Sequence, residues 1–223
     1  MRIDPFLESL CNEGGFAIGE IIVSSLDVGS FELRHHLDEA VQPDDLEAYT
    51  NAADARSVSM YGESGEYRFA KAQTNLKRGW RLKLTDLTSL RQALDLFYPA
   101  GVALELARRE GRLETQNLRD KLNRQTGMYR FARTISDEGA QKLVREICGP
   151  AHQCARKILW QLDQDTPLED SEASRYDGIP CSTHKDRAIP LLCREACNHF
   201  VAETRKAAKA EFEKQQTADH SAG

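Results

Sequence analysis

The chain predicts an α+β fold, and three observations carry that reading. Up to about residue 84 the apolar residues fall in short β-rich or alternating runs, whereas beyond residue 85 they recur at helical spacing. Five of the six cysteines (Cys148, Cys154, Cys181, Cys193 and Cys197) then lie in the last third, with Cys11 alone near the start. The implied organisation is a small mixed-sheet part over 1–84, a mainly helical cysteine-bearing part over 85–216, and a disordered tail over 217–223.

The elements follow in order. Phe16 to Val23 is β-rich after the turn signal Gly14-Gly15, and Asp27-Val28-Gly29-Ser30 supplies a hairpin connection to Phe31–Arg34. Pro43-Asp44-Asp45 opens a short helix to about Ala55, its acids placed at the positive end of the dipole. Tyr67–Ala70 and Trp80–Leu84 alternate as half-buried strands do. Thr85 or Asp86 caps a helix with Leu87, Leu90, Leu94 and Phe97 on one face, and Pro99 kinks or restarts it toward Gly111. Asn117–Asn123 reads as a further short helix. Ser136 starts another through Ala140, Leu143, Val144 and Ile147, stopped at Gly149-Pro150. Ala151–Leu162 is expected to be helical again, and the last helix to run from about Leu192 to Lys214.

Composition narrows the function classes. With 223 residues, 40% hydrophobic and 29% charged, the chain suits one large domain or two small ones. No apolar run approaches the ~20 residues that span a bilayer. Asp4 and Glu8 interrupt the place where a secretory apolar region would lie. The expectation is a cytoplasmic protein, without membrane association, whose thiols are reduced and open to a metal. A net charge of −5 argues against a dedicated nucleic-acid binder. Charge is nonetheless uneven. Residues 108–133 hold eight Lys or Arg against three acids, while 163–177 hold six acids against Arg175 and read as an exposed loop around Pro167.

The cysteine spacing is Cys148-x5-Cys154, then Cys181, then Cys193-x3-Cys197. Thiols four apart on a helix share one face, and Cys193 and Cys197 are expected in the first turns of the last helix, where the dipole favours a negative cluster. Cys148 and Cys154 flank the Gly149-Pro150 corner, which brings two thiolates together compactly. Two pairs make the ligand count of a [4Fe–4S] or [2Fe–2S] cluster. A four-cysteine zinc site is the alternative, weakened by the lack of a Cys-x2-Cys knuckle, and ordinary buried thiols are the third reading. Cys181 is a spare that replaces one of the four, reacts on its own, or has no role. His35-His36 ends a strand with side chains on opposite faces, so the two cannot readily share a metal. His152 suits a donor to cluster sulfur or a surface position, and His184 and His199 are candidates only for zinc.

Several segments carry a resemblance: Asn75-Leu-Lys-Arg-Gly-Trp80-Arg-Leu82, Leu94-Asp-Leu-Phe-Tyr98-Pro99-Ala100, Arg124-Gln-Thr-Gly-Met-Tyr129-Arg130, Cys148 to Trp160, and Ile189-Pro-Leu-Leu-Cys193-Arg-Glu-Ala-Cys197-Asn198. Over roughly 60–206 the chain resembles bacterial proteins in which a sirohydrochlorin-chelatase-like module precedes a small stabilising domain and a [4Fe–4S]-binding domain. The resemblance implies that Cys148, Cys154, Cys193 and Cys197 are the cluster ligands. The chain departs from that pattern in leaving no room for a chelatase module, so the stabilising and cluster domains are expected to stand alone.

Arg78, Arg81, Arg124 and Arg130, interleaved with Trp80 and Tyr129, suit a cationic, aromatic-lined surface for a carboxylate-rich tetrapyrrole. The plainer reading is a solvated face whose aromatics belong to the core. No phosphate-binding glycine loop, Ser/His/Asp arrangement or acid–base carboxylate pair stands out. Two functions follow. One is an iron–sulfur protein with an electron-transfer or accessory role in tetrapyrrole or metal-chelation metabolism, serving a separate chelatase-like or redox protein. The other is a non-catalytic partner-binding module with a structural zinc or cluster.

Overall fold

A computed structural model describes residues 2–148, 154–166, 168 and 187–221, the last four by their backbone alone. In chain order its elements are α1 (Ile3–Asn12), β1 (Phe16–Ile18), β2 (Ile21–Asp27), β3 (Ser30–His35), β4 (Glu47–Tyr49), α2 (Asp54–Val58), β5 (Trp80–Leu84), α3 (Leu87–Phe97) and α4 (Gly101–Arg109). Then come α5 (Leu118–Asn123), α6 (Asp137–Cys148), β6 (Arg156–Ile158), β7 (Ala188–Ile189), β8 (Leu191–Cys193) and α7 (Asn198–Ser221). The fold is α+β. It forms two compact units, Met1–Leu113 with Asp177–Leu192, and Glu114–Tyr176 with Cys193–Gly223.

The first unit is built on a six-stranded sheet in the order β4-β5-β3-β2-β1-β7. The β1–β7 and β4–β5 pairs are parallel and the others antiparallel. Apolar side chains from the sheet (Phe16, Ile18, Ile21, Leu33, Leu82) are buried, as are Phe6 and Leu7 of α1 and Phe97 of α3. Each such side chain contributes about 1.5–3 kcal/mol by leaving water. The Trp80 ring stacks on Phe97 with centroids 5.1 Å apart, which fixes α3 against β5. Asp86 caps α3 as expected, its carboxylate accepting from Ser89 N–H at 2.8 Å.

The tight corner between β1 and β2 is closed by a tyrosine. Gly19 has φ +53°, and a Cβ there would meet the Tyr98 ring at 2.5 Å, so only glycine satisfies both backbone and neighbour. The buried Tyr98 hydroxyl accepts from Glu20 N–H at 2.9 Å. The Glu20 carboxylate is buried too. It accepts from Leu76 N–H at 3.0 Å, and His35 Nε2 and Arg68 Nη2 each stand 3.6 Å from it. One corner thus pins the irregular segment 59–79 to the sheet.

The second unit packs Leu118 and Leu122 of α5, Ala132 of the 3-10 segment Gly127–Thr134, Val144 and Cys148 of α6, Trp160, and Phe200 and Val201 of α7 into one core. Asn117 caps α5 through Asp120 N–H at 2.7 Å, and Ser136 Oγ accepts from Gly139 N–H at 3.0 Å ahead of α6. Gly127, at φ +56°, turns the chain out of α5 into the 3-10 segment.

Several expectations are corrected. The packing places α3 and α4 with the sheet, so the break falls at Leu113/Glu114 rather than after residue 84; a change of period marks a change of element, not of core. Helix α1 was not anticipated, although Phe6, Leu7, Leu10 and Cys11 share its buried face. The 43–55 helix is instead a 3-10 turn at Pro43–Asp45, strand β4 and the short α2. Tyr67–Ala70 makes only a bridge from Tyr67 to Tyr61. Arg156–Ile158 is a strand, not a helix, and Leu159 N–H beyond it bonds Cys193 C=O at 3.0 Å. Cys193 accordingly ends a strand, and α7 begins only at Asn198. That helix continues through Ser221, where a tail was expected from 217, because Ala, Glu, Lys and Gln over 207–216 favour helix. Gly149-Pro150 lies outside the described residues.

Tyr98→Phe should lower the stability of the first unit by about 1–3 kcal/mol, because it leaves the buried Glu20 N–H without an acceptor. Urea unfolding checks this; an unchanged midpoint would show that the corner is not a structural tie.

Candidate metal centre

All four candidate ligands belong to the second unit. Cys148 is the last residue of α6, Cys193 the last of β8, and Cys197 immediately precedes α7. Cys154 lies just before β6. The last two segments are locally determined: Val201 N–H bonds Cys197 C=O at 3.0 Å, while the strand holding Cys193 is tied to Leu159.

Nitrogen donors face two of the sulfurs. The Trp160 indole Nε1–H donates to Cys193 Sγ at 3.3 Å, and Phe200 N–H donates to Cys197 Sγ at 3.5 Å. Trp160 is buried and held edge-on to the Phe200 ring, with centroids 5.7 Å apart. The Cys193 thiol in turn donates to Glu195 C=O at 3.1 Å. A thiolate would give up that donation and keep the indole bond.

Burial dominates the electrostatics. It pushes the Cys148 thiol far above its ordinary value, and the charges of Cys154, Cys193 and Cys197 push it further. Burial likewise raises Cys193 to about 11, against the Trp160 hydrogen bond and the Arg156 charge. Cys154 is raised by burial, opposed first by Arg156 N–H. The thiols therefore lie within electrostatic reach of one another, and their anions repel. A metal cation reverses that balance, because a coordinating thiol is deprotonated outright.

The donor set fits an iron–sulfur cluster in number, softness and N–H···S support. Among the described residues no three His, Cys, Asp or Glu side chains are grouped to hold a metal ion. A single tetrahedral zinc would need sulfurs about 3.8 Å apart, given Zn–S bonds of about 2.3 Å, whereas a cubane takes one thiolate at each iron and spreads them wider.

The remaining candidates fall elsewhere. Cys11 lies on α1 of the first unit, its thiol raised to about 11 chiefly by burial. Cys181, His152 and His184 lie outside the described residues. His35 and His36 stack with centroids 4.8 Å apart, since the chain leaves its strand at His36, and His35 Nδ1 accepts from Leu37 N–H at 3.1 Å. His199 lies in the first turn of α7.

The expected cationic surface divides between the two units. Arg78 and Arg81 belong to the first, where Arg78 pairs with Glu63 at 2.7 Å and Arg81 with Asp44 at 3.5 Å. Trp80 is fully buried against Phe97 and offers no stacking face, which corrects that expectation. Arg124, Tyr129 and Arg130 belong to the second unit and are exposed; the Arg205 guanidinium lies 5.8 Å from the Tyr129 ring centroid. Sequence reasoning missed Trp160 as a sulfur donor. Nothing in the spacing signals a contact across 33 residues.

Comparison with known proteins completes the picture. Residues 6–109 match the DR2241 stabilising domain, and residues 110–206 match the 4Fe-4S iron-sulfur cluster binding domain. The two matched stretches adjoin, and neither alone covers half of the chain. A solved structure, DR2241 from Deinococcus radiodurans, is similar over 93% of this chain with 27% identity and a TM-score of 0.73. That protein is described as multi-domain, structurally similar to chelatases, with two additional novel domains. The chain spans 41% of its length. No curated protein matches the sequence. Among the described residues no helix is long and apolar enough to cross a membrane. The cluster-binding domain begins at 110, close to the break between the compact units after Leu113.

Trp160→Phe removes the indole donor while keeping an aromatic ring. It should cost about 1 kcal/mol of stability and lower the reduction potential of the loaded domain, since hydrogen bonds to the sulfurs raise it. Protein-film voltammetry reads the potential; no shift would mean that the indole does not face a ligand sulfur.

Proposed function

We propose that Cys148, Cys154, Cys193 and Cys197 hold a [4Fe–4S] cluster, and that the chain carries electrons for a chelatase-type or redox partner in tetrapyrrole or metal metabolism. The observation that supports this best is that four cysteines lie at the ends of separate elements of one compact unit, within the stretch that matches the cluster-binding domain, with N–H groups aimed at two of the sulfurs. When bound, the cluster supplies one-electron redox chemistry.

The chain's own residues do the rest. The core of the second unit shields Cys148, whereas Cys154 and Cys193 are half-buried and Cys197 is exposed. Trp160 and Phe200 N–H stabilise thiolate charge at Cys193 and Cys197. Arg156 adds a cationic influence on Cys154 and Cys193. The exposed Arg124, Tyr129 and Arg130 offer charge and a ring to an acidic protein or an anionic tetrapyrrole. The DR2241 likeness supports a chelatase-associated setting.

Single alanine variants of the four cysteines test the assignment. Each should cut iron per chain by more than half and abolish the electron paramagnetic resonance signal of the dithionite-reduced protein, while Cys11→Ala retains both. A redox-silent zinc protein would favour the structural, partner-binding reading instead. Full iron content in any of the four variants would contradict the ligand set.

A further inference from the structure

The irregular segment 59–79 of the first unit brings a lysine and two arginines around one buried hydroxyl. Ser59 directly follows α2 and is buried, and its Oγ accepts from Lys71 Nζ. The proton of Ser59 is committed elsewhere: Oγ donates to Arg56 C=O at 3.0 Å, with Leu96 C=O at 3.4 Å. Arg68 is drawn to the same place, its Nη2 donating to Lys71 C=O at 3.4 Å.

The charges here do not balance. The buried Arg68 guanidinium has the Glu20 carboxylate 3.6 Å away. Among the described residues neither Lys71 nor Arg56 has a carboxylate partner. Asp54, two residues before Arg56, accepts from Asn51 N–H at 3.3 Å in the first turn of α2, and side chains two apart on a helix do not face each other. Burial first, then the charges of Arg68 and Arg56, hold the Lys71 amine below its ordinary value, and no carboxylate opposes them. With Arg68 matched by Glu20, Lys71 and Arg56 are left over. Reversing the sign of Lys71 cancels the surplus.

We infer that Lys71 is a carbon dioxide-binding lysine, converted at Nζ to a carbamate whose negative charge is matched by Arg56. The ammonium first loses a proton to water. The nitrogen lone pair then forms an N–C bond to carbon dioxide, one C=O π pair moves onto oxygen, and a second proton leaves the nitrogen. Neither oxidant nor reductant is consumed. Ser59 suits each stage, because one N–H remains to donate to its Oγ. Its own proton goes to a backbone carbonyl, so the lone pair of the amine is not blocked. A desolvated lysine beside other cations is the activated form of this nucleophile. Lys71 is half-buried, which leaves the amine within reach of a small, uncharged molecule. Acylation to a neutral amide would relieve the repulsion but leave Arg56 unmatched; a carbamate does both. The carbamate ties segment 59–79 to α2. This inference concerns the first unit alone and is independent of the cluster assignment.

The full chain, purified without oxygen, is equilibrated with isotopically labelled bicarbonate and dissolved carbon dioxide. Triethyloxonium then traps any carbamate as its ethyl ester, and peptide mass spectrometry locates and counts the label. Occupancy at Lys71 should exceed that at Lys142 and Lys206 about 5-fold or more, since both of those pair with glutamates that favour the ammonium form. Arg56→Gln should lower the Lys71 occupancy about 2-fold or more, and Arg56→Lys should keep it. Lys71→Gln should remove the labelled peptide. Circular dichroism confirms that the variants fold. Absence of label at Lys71, occupancy no higher than at the two paired lysines, or indifference to Arg56→Gln would overturn the inference.

Discussion

The constraint on the second unit's candidate centre is that burial and like charge hold three of its four thiols in the neutral form. Burial raises Cys148, Cys154 and Cys193, and like charge raises them further, so their neutral forms are favoured when no metal compensates. A metal centre turns this repulsion into cross-links. It would tie the end of α6, the approach to β6, the end of β8 and the start of α7. The local hydrogen bonds are already in place for that role: Trp160 and Phe200 aim N–H groups at sulfur, and Leu159 holds the strand that carries Cys193.

The first unit solves a different problem. Its sheet and helices enclose an apolar core, and the Tyr98–Glu20 corner gives the buried Glu20 N–H and Leu76 N–H their acceptors. Tyr98 and Trp80 both fall within segments that carried the family resemblance, and both are buried. Those segments therefore supply a core, while the segments around the cysteines carry the candidate ligands. The same contrast explains why Trp80 serves no ligand whereas Trp160 faces a sulfur.

Much of this was legible in the sequence. Periodicity located β3, β5, α3 and α6, and side-chain chemistry located the cap at Asp86. The cysteine clustering and the resemblance together led to the cluster-binding domain. What failed did so for physical reasons. The strand at Arg156–Ile158 and the strand ending at Cys193 are short, and depend on tertiary partners rather than on propensity. The break between units escaped because α3 and α4 look the same in sequence whichever core receives them. The grouping of Arg78 and Trp80 with Arg124 and Tyr129 rested on composition, which says nothing about which unit a side chain joins.

The most direct test of the central claim is the metal and acid-labile sulfide content of the protein purified without oxygen. About four irons and four sulfides per chain, with the charge-transfer absorption of a cubane, is the predicted result. One zinc per chain without sulfide, or no bound metal at all, would contradict it.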